Sequence, residues 1–339
     1  MAESRAERGC AMAEVAGWRP DVLGPGFEQR TLPLGDDDIG PIVATVVRYT
    51  GRHRPLGGLV QGADVLYVHG WNDYFFNPEL ARFWAGLGAR FHALDLRNYG
   101  RSLRPGRSPG YITDITTYDA DLEAALGAIG HGQHDDPKRP LVLVGHSTGG
   151  LVLSLWAARY PGRADRLVLN SPWLEFQASR VGREAIAPAL NLAAMVRPTA
   201  VMPNVDYGFY ARSIDKNRDG QWEYDHSWRL DAGAPTHPAW LAAIFAGQSR
   251  VAAGLDIGVP VLTLLSKRSL IQPRWSDEML RSDIVLVVDE IAARSVRLGP
   301  DVTIARIDGA LHDVFLSFEP ARQAAYDAVE RWLRGASTR

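Results

Sequence analysis

The segment 145–149 reads Gly-His-Ser-Thr-Gly and is the part of this chain whose residue types and spacing best suit chemistry. An apolar β-branched run precedes it, and a helix-like stretch, 151–160, follows it. A serine on a sharp turn from a strand into a helix presents its hydroxyl outward on a strained backbone, and the helix N-terminus behind it favours negative charge. The pattern therefore predicts that Ser147 is a nucleophile and that Gly145 and Gly149 are needed where strand and helix approach closely.

A serine that attacks a carbonyl group needs hydrogen-bond donors for the oxyanion that forms. One donor is expected from the residue after the nucleophile, which makes the backbone amide of Thr148 the first candidate. The second is expected from the loop after an earlier strand, and the segment His-Gly-Trp-Asn at 69–72 follows the apolar run 65–68. We therefore predict that the amide of Trp71 completes the oxyanion hole, while the side chains of His69 and Trp71 pack around it.

His312 is the candidate general base among the nine histidines of the chain. It follows a predicted strand, 302–307, and precedes a predicted amphipathic helix near 317–333. A histidine in this late loop can reach back over the nucleophile, and proteins with this elbow carry their three catalytic residues in the order serine, acid, histidine. The acid is therefore expected between Ser147 and His312.

The acid does not stand directly after the predicted strand 259–265, which is followed by Ser-Lys-Arg-Ser instead of a carboxylate. Between acid and histidine the chain must fit a helix, a strand and two loops, which takes roughly 25–30 residues. Asp283 lies 29 positions before His312 and is followed by a helical pattern and then a strand. We predict that Asp283 is the acid, with Asp277 and Glu175 as alternatives. The competing role for Asp283 is that of a helix cap.

Together these segments resemble the α/β-hydrolase superfamily, in the branch that contains the monoacylglycerol lipases, the lysophospholipases and the serine aminopeptidase-type hydrolases. The resemblance covers most of the chain after the first 28 residues or so and rests on the motifs at 69–71, 95–102, 145–149 and 309–313. It implies an α/β fold with a mostly parallel central sheet, helices on both faces and an inserted cap.

The segment 95–102 departs from the usual Asp-x-Arg-Gly-x-Gly-x-Ser of that branch, because Asn98 replaces one glycine. Asparagine tolerates a left-handed backbone better than other non-glycine residues, so we expect the turn to be kept. The resemblance implies that Asp95, Arg97 and Ser102 hold this loop in shape.

The order of predicted strands and helices indicates one α/β unit with an insertion. Two opening strands, 27–34 and 42–49, are expected to form an antiparallel edge, and the later strands alternate with helical stretches, as in a parallel sheet covered on both faces. These later strands are predicted at 64–68, 91–96, 140–145, 165–170, 259–265 and 302–307. We divide the chain into a flexible leader (1–26), a core (27–170 and 236–339) and an inserted segment (171–235), called the cap below.

The cap carries apolar residues at helical spacing between 185 and 201 and is rich in aromatic residues. An apolar underside suits an acyl chain or another lipophilic group, whereas the alternative is that this face packs on the core. The aromatic residues, which are expected either to line a pocket or to form the interior of the cap, are Trp173, Phe176, Phe209, Tyr210, Trp222 and Trp228.

Composition narrows the class of protein. The 37 basic and 39 acidic side chains give a net charge of −2, which argues against a nucleic-acid partner. Cys10 is the only cysteine, so no intramolecular disulfide can form. The N-terminus is charged and lacks the apolar segment of a secretory signal, and no apolar run is long enough to span a bilayer. We therefore expect a cytoplasmic protein.

The function predicted from these observations is hydrolysis of a lipophilic carboxylic ester, a small molecule, through an acyl-enzyme on Ser147. His312 would move the protons and Asp283 would orient it, with no metal and no organic cofactor. Transient contact with lipid is expected through the cap. Two alternatives stay open, namely an amidase or aminopeptidase that uses the same triad and a non-catalytic protein of this fold that binds a ligand or partner.

Overall fold

The computed structural model describes residues 17–53, 56–132, 139–176, 179–202 and 207–336. Nine strands within these residues form one sheet in the order β1-β2-β3-β5-β4-β6-β7-β8-β9. The strands are β1 (Arg19–Pro20), β2 (Phe27–Asp37), β3 (Gly40–Tyr49), β4 (Asp64–Val68), β5 (Arg90–Asp95), β6 (Leu141–His146), β7 (Arg166–Asn170), β8 (Val261–Ser266) and β9 (Val302–Ile307). The α-helices are α1 (Pro78–Gly86), α2 (Tyr118–Ala128), α3 (Thr148–Arg159), α4 (Ser179–Val196), α5 (Phe209–Ile214), α6 (Pro238–Ala253), α7 (Val288–Ser295) and α8 (Ala321–Ala336).

The order in which the chain adds strands to the sheet reverses around β4. Strands β1, β2, β3 and β5 pair antiparallel, whereas every later neighbour in the sheet, from β5 through β9, pairs parallel. The chain runs from β4 outward to β5 and then returns to β6 on the other side of β4. A crevice forms at the carboxyl ends of strands where an open parallel sheet reverses its order, and ligands bind there. The loop after β4 and the turn after β6 both open onto this crevice.

Apolar composition explains why the central strands are the most deeply placed. All residues of β4, β6 and β8 are buried, as expected for parallel strands that are covered by helices on both faces. The predicted antiparallel edge and the predicted alternation of strands and helices are confirmed, with boundaries shifted by a few residues. The loop prediction at 95–102 also agrees, because Asn98 has φ 64° and Ser102 Oγ donates to the carbonyl oxygen of Asp95 over 2.8 Å.

The end of the predicted leader is attached to the sheet. Arg19 and Pro20 pair with β2, and Asp21 is buried. The guanidinium of Arg101 donates to both carboxylate oxygens of Asp21, over 2.6 and 2.8 Å, and to Asp95 over 2.8 Å. A strand of two residues is too short to show a periodicity, and the burial of Asp21 after it depends on a partner 80 positions away. Residues 1–16, including Cys10, lie outside the described residues.

The apolar side of α4 faces outward. Pro188 lies inside this helix and Leu190 is buried, but the other large apolar side chains predicted to form an inner surface are exposed. Those side chains, with their exposed fractions, are Ile186 (43%), Leu192 (62%), Met195 (81%), Val196 (69%) and Val201 (70%). The helix packs instead against α6, which also contacts α3. Helical spacing identified an apolar face but not its direction, which depends on the position of α6.

Candidate active site

Ser147 connects β6 to α3 and has φ 50° and ψ −115°, a conformation that is strained for a residue with a side chain. A Cβ atom on Gly145 would lie 2.8 Å from the Cα atom of Gly150, so strand and helix do approach too closely for a side chain there. At Gly149 a Cβ atom would lie 2.4 Å from the carbonyl oxygens of Val68 and His69. Strand and helix therefore approach closely at the second glycine as well, and the strand there is β4.

The loop between β4 and α1 (residues 69–77), called the β4–α1 loop below, passes directly over the elbow. A Cβ atom on Gly70 would lie 3.0 Å from the Cβ atom of Ser147. Among the described residues, no acceptor is found for the backbone N–H of Trp71 or of Thr148. Both amides are therefore available to a carbonyl oxygen held at Ser147.

The ring of His69 is a structural element of this loop. Its Nδ1 lies 2.7 Å from the carbonyl oxygen of Gly70, and its Nε2 accepts the N–H of Leu96 over 3.1 Å. Burial lowers the pKa of His69, which keeps the ring neutral and able to accept at Nε2. The indole of Trp71 packs against Trp240 in α6, with ring centroids 5.5 Å apart.

His312 and Asp283 form a buried pair. Nδ1 of His312 lies 2.9 Å from Oδ2 of Asp283, and the two residues are 2% and 0% exposed. The other oxygen of Asp283, Oδ1, accepts the N–H groups of Val285 and Leu286, each over 2.8 Å. Helix α7 begins at Val288, so Asp283 is not its N-cap. Because a carboxylate only accepts, the proton of the neutral imidazole of His312 lies on Nδ1 and its Nε2 can accept one.

The chain returns alongside the end of β8, which brings Asp283 next to His312. Its backbone pairs in parallel with Ser269, since the N–H of Asp283 donates to Arg268 over 3.0 Å and the N–H of Leu270 donates to Asp283 over 2.8 Å. The insertion 270–282 therefore leaves the strand and comes back beside it. Ser269, where a carboxylate was missing, hydrogen bonds with its Oγ to the carbonyl oxygen of Leu286 over 2.8 Å.

The two alternative acids lie elsewhere. Asp277 is exposed in a short 3₁₀-helix, Asp277–Arg281. Glu175 is buried and its carboxylate is paired with the guanidinium groups of Arg183 and Arg294. The structure thus brings Asp283 to His312 and leaves the other two carboxylates with other roles.

Two aromatic rings enclose the imidazole of His312. The ring of His146, the residue before Ser147, has its centroid 4.9 Å away, and the ring of Tyr210 from α5 meets His312 edge-on at 5.4 Å. Burial lowers the pKa of His146 to about 4, so this ring is neutral at pH 7. The aromatic contact places His312 next to the elbow and under the cap.

Asp73 and Arg229 bring a carboxyl group and a guanidinium group together close to the same place. Asp73 lies in the β4–α1 loop and Arg229 in the cap, and the Nε atom of Arg229 is 3.4 Å from Oδ1 of Asp73. Both side chains are buried. Burial raises the pKa of Asp73 to about 7 although Arg229 opposes that shift. The guanidinium also lies over the ring of Tyr210, 5.1 Å from its centroid.

Within the described residues, no group of three or more His, Cys, Asp or Glu residues is placed to hold a metal ion. No helix in the same residues is long and apolar enough to cross a membrane.

A family model described as "Serine aminopeptidase, S33" matches residues 61–320, which is more than half of the chain. The chain belongs to this family. The matched range contains the β4–α1 loop, the elbow, Asp283 and His312.

Relatives of this S33 protein include lipases. A monoacylglycerol lipase of Mycolicibacterium smegmatis is 26% identical over 277 residues, which cover 79% of this chain and 87% of the relative. Human monoglyceride lipase is 24% identical over 258 residues, which cover 75% of this chain and 76% of the relative. The solved structure of a soluble variant of the Saccharomyces cerevisiae monoglyceride lipase superposes with a TM-score of 0.60 at 15% identity, covering 91% of this chain and 96% of that one. This likeness confirms the predicted α/β-hydrolase fold.

The sequence did not reveal two residues that hold the loop carrying His312 in this S33 protein. Asn170, at the end of β7, donates from Nδ2 to Oδ1 of Asp313 over 2.6 Å, and its Oδ1 accepts the N–H of Val314 over 3.0 Å. Asp313 Oδ1 also accepts the N–H of Phe315 over 2.9 Å. An aspartate directly before a helical turn is a sign of an N-cap that the sequence offers, whereas the role of Asn170 depends on a contact 143 positions apart.

Proposed function

We propose that this protein is a serine hydrolase that cleaves a carboxylic ester through an acyl-enzyme on Ser147. The observation that carries the proposal is the buried hydrogen bond between His312 and Asp283, next to a serine on a strained strand-to-helix turn. This bond fixes the imidazole tautomer in which Nε2 can accept a proton. A histidine so oriented converts a serine hydroxyl into a nucleophile.

The reaction follows from these groups in two steps. Nε2 of His312 takes the proton of Ser147 Oγ as that oxygen attacks the ester carbonyl, and the amides of Trp71 and Thr148 stabilise the oxyanion. His312 then donates the proton to the departing alcohol, which leaves an acyl group on Ser147. Water, activated by His312, attacks the acyl-enzyme along the same route and releases the acid. Asp283 stabilises the imidazolium that forms in each step.

The substrate class proposed is a lipophilic ester with a polar alcohol, with monoacylglycerol as the first compound to test. The support comes from relatives that are named monoacylglycerol and monoglyceride lipases and that match most of their length. The exposed apolar side chains of α4 provide a surface that can touch a lipid aggregate while the substrate enters. The name of the family favours an amide as the second candidate substrate, because amides need the same nucleophile and base.

The test pairs Ser147→Ala with Ser108→Ala. Ser108 belongs to a second serine–histidine pair, since its Oγ lies 2.7 Å from Nε2 of His237. Both variants and the wild type are assayed on p-nitrophenyl esters of short to long acyl chains, on monoacylglycerol and on matching p-nitroanilides. We expect Ser147→Ala to abolish turnover and covalent labelling by a fluorophosphonate, and Ser108→Ala to keep both.

The assays distinguish an ester hydrolase from an amidase. Turnover of esters but not of anilides supports the ester hydrolase, and the reverse supports the amidase. A wild-type protein that hydrolyses neither class and is not labelled at Ser147 contradicts the proposed function.

A further inference from the structure

The β4–α1 loop is fastened to the cap through Asn72. Nδ2 of Asn72 donates to the carbonyl oxygen of Leu230 over 2.7 Å, and its Oδ1 accepts the N–H of Leu230 over 3.4 Å. Asn72 is 7% exposed and has φ 56°, a left-handed conformation that asparagine adopts more readily than most residues. One side chain of the loop therefore pairs with both backbone groups of one cap residue.

The next two residues of the loop reach the same part of the cap. Asp73 is opposite Arg229, as described above, and Tyr74 Oη accepts the N–H of Asp225 over 2.7 Å. The ring of Tyr74 also meets the ring of Trp228 edge-on, with centroids 5.3 Å apart. The contacts of three consecutive loop residues thus converge on the cap segment 225–230, called the cap strap below.

The core holds the loop on either side of Asn72, and before it His69 Nε2 accepts the N–H of Leu96 while the indole of Trp71 packs against Trp240. The N–H of Phe75 donates to Asp95 Oδ1 over 3.0 Å, and Asn77 Oδ1 accepts the N–H of Leu80 at the start of α1. These bonds fix the second half of the loop. Trp71, in the first half, is followed directly by Asn72, the first of the three loop residues that contact the cap strap.

We propose that the cap strap positions the backbone amide of Trp71, and that Asn72 is a positioning residue for the oxyanion hole. This inference rests on the proposed function, because the amide matters only if a carbonyl oxygen develops charge beside Ser147. Oxyanion donors act at 2.7–3.1 Å from the charged oxygen, so a displacement of about 1 Å removes most of their effect. The cap is then part of the catalytic geometry and more than a cover over it.

The test uses three substitutions of Asn72 and one control. Asn72→Ala removes both hydrogen bonds, and Asn72→Gly removes them while relieving the positive φ. Asn72→Asp keeps the acceptor for the N–H of Leu230 and loses the donor. The control is Gln221→Ala, which removes a hydrogen bond of 3.2 Å between the cap and Arg322 in α8, away from the β4–α1 loop.

We expect Asn72→Ala and Asn72→Gly to lower kcat about 10- to 100-fold with KM changed by no more than about two-fold. The affinity for a trifluoromethyl ketone, which forms a tetrahedral adduct with the serine, should fall by the same factor as kcat/KM. Hydrogen exchange of the amides in the β4–α1 loop should become faster. Asn72→Asp should lie between these variants and the wild type, and Gln221→Ala should match the wild type in all three measurements.

The proposal is overturned if the loss appears in KM alone, if the inhibitor binds Asn72→Gly as tightly as the wild type, or if loop exchange is unchanged. Failure of the proposed function is recognised separately, by a wild type that is neither active nor labelled at Ser147. In that event the exchange measurement still decides whether the cap strap holds the loop.

Discussion

Replacing Asp283 by asparagine is the most direct test of the proposed triad, because the structure specifies what the substitution changes. Asparagine has nearly the size of aspartate, and its Oδ1 can keep the N–H groups of Val285 and Leu286 that Asp283 accepts. The loop that carries residue 283 should therefore remain in place. The change falls on Oδ2, the atom 2.9 Å from Nδ1 of His312, where an amide N–H₂ group takes its place.

An amide N–H₂ group can only donate, so Nδ1 of His312 must become an acceptor and the ring proton moves to Nε2. A protonated Nε2 cannot take the proton of Ser147, and the negative charge that stabilises the imidazolium is lost as well. The same change in a serine protease lowers kcat about 10⁴-fold, which corresponds to roughly 5 kcal/mol of transition-state stabilisation. Since His312 and Asp283 are 2% and 0% exposed, water cannot replace the carboxylate, and we expect a loss of about 10³- to 10⁴-fold.

The assay is hydrolysis of the best p-nitrophenyl ester found for the wild type, with kcat and KM measured separately. Asp277→Asn is the matched control, because it makes the same chemical change on an exposed carboxylate of the same insertion. It should keep kcat within about two-fold of the wild type. Thermal unfolding of both variants checks that the fold is intact. If Asp283→Asn keeps more than a tenth of the wild-type kcat, the role given to Asp283 is wrong.

Three further predictions concern stability and the approach to lipid. Because the pKa of Asp73 is raised from 3.8 to about 7, its stabilising effect is complete below pH 3.8 and is lost as the pH rises to 7. The unfolding free energy of Asp73→Asn relative to the wild type should therefore increase over that range in urea titrations, and a flat difference would contradict the burial argument. Leu192→Glu combined with Met195→Glu should lower activity on monoacylglycerol in vesicles several-fold and leave a water-soluble ester unaffected, since both side chains are exposed. Equal losses on both substrates would mean that the substitutions damage the fold. Gly149→Ala should destabilise the protein by several kcal/mol in the same titrations, because its Cβ atom would lie 2.4 Å from two carbonyl oxygens. Gly86→Ala, at an exposed site with nothing within 4 Å of the added atom, should be neutral or stabilising, and similar losses in both variants would refute the steric reason.

The parts of the site that the sequence predicted are those set by local patterns and by chain length. The Gly-x-Ser-x-Gly segment specifies a turn from strand to helix, and the structure has that turn at Ser147. The count of residues needed for a helix and a strand selected Asp283, which the structure places against His312. Neither inference required knowledge of contacts between distant segments.

The parts that were missed depend on such contacts. Asn72 meets Leu230 across 158 positions, and Arg101 meets Asp21 across 80. A single sequence shows a polar side chain at each of these places but not its partner. The direction of the apolar face of α4 was missed for the same reason, because it is decided by the docking of that helix on α6.

Because the chain returns beside β8, the candidate acid is far from the end of that strand in sequence but next to it in space. If the chain is aligned at the end of β8, Ser269 stands where related sequences are expected to have an acid. That alignment position alone would suggest an enzyme that has lost its function. The backbone of Asp283 lies beside that serine as a neighbouring strand would. Members of such families are therefore better sorted by which carboxylate reaches the histidine than by the residue in one column, and an insertion of variable length after this strand is the place to look for it.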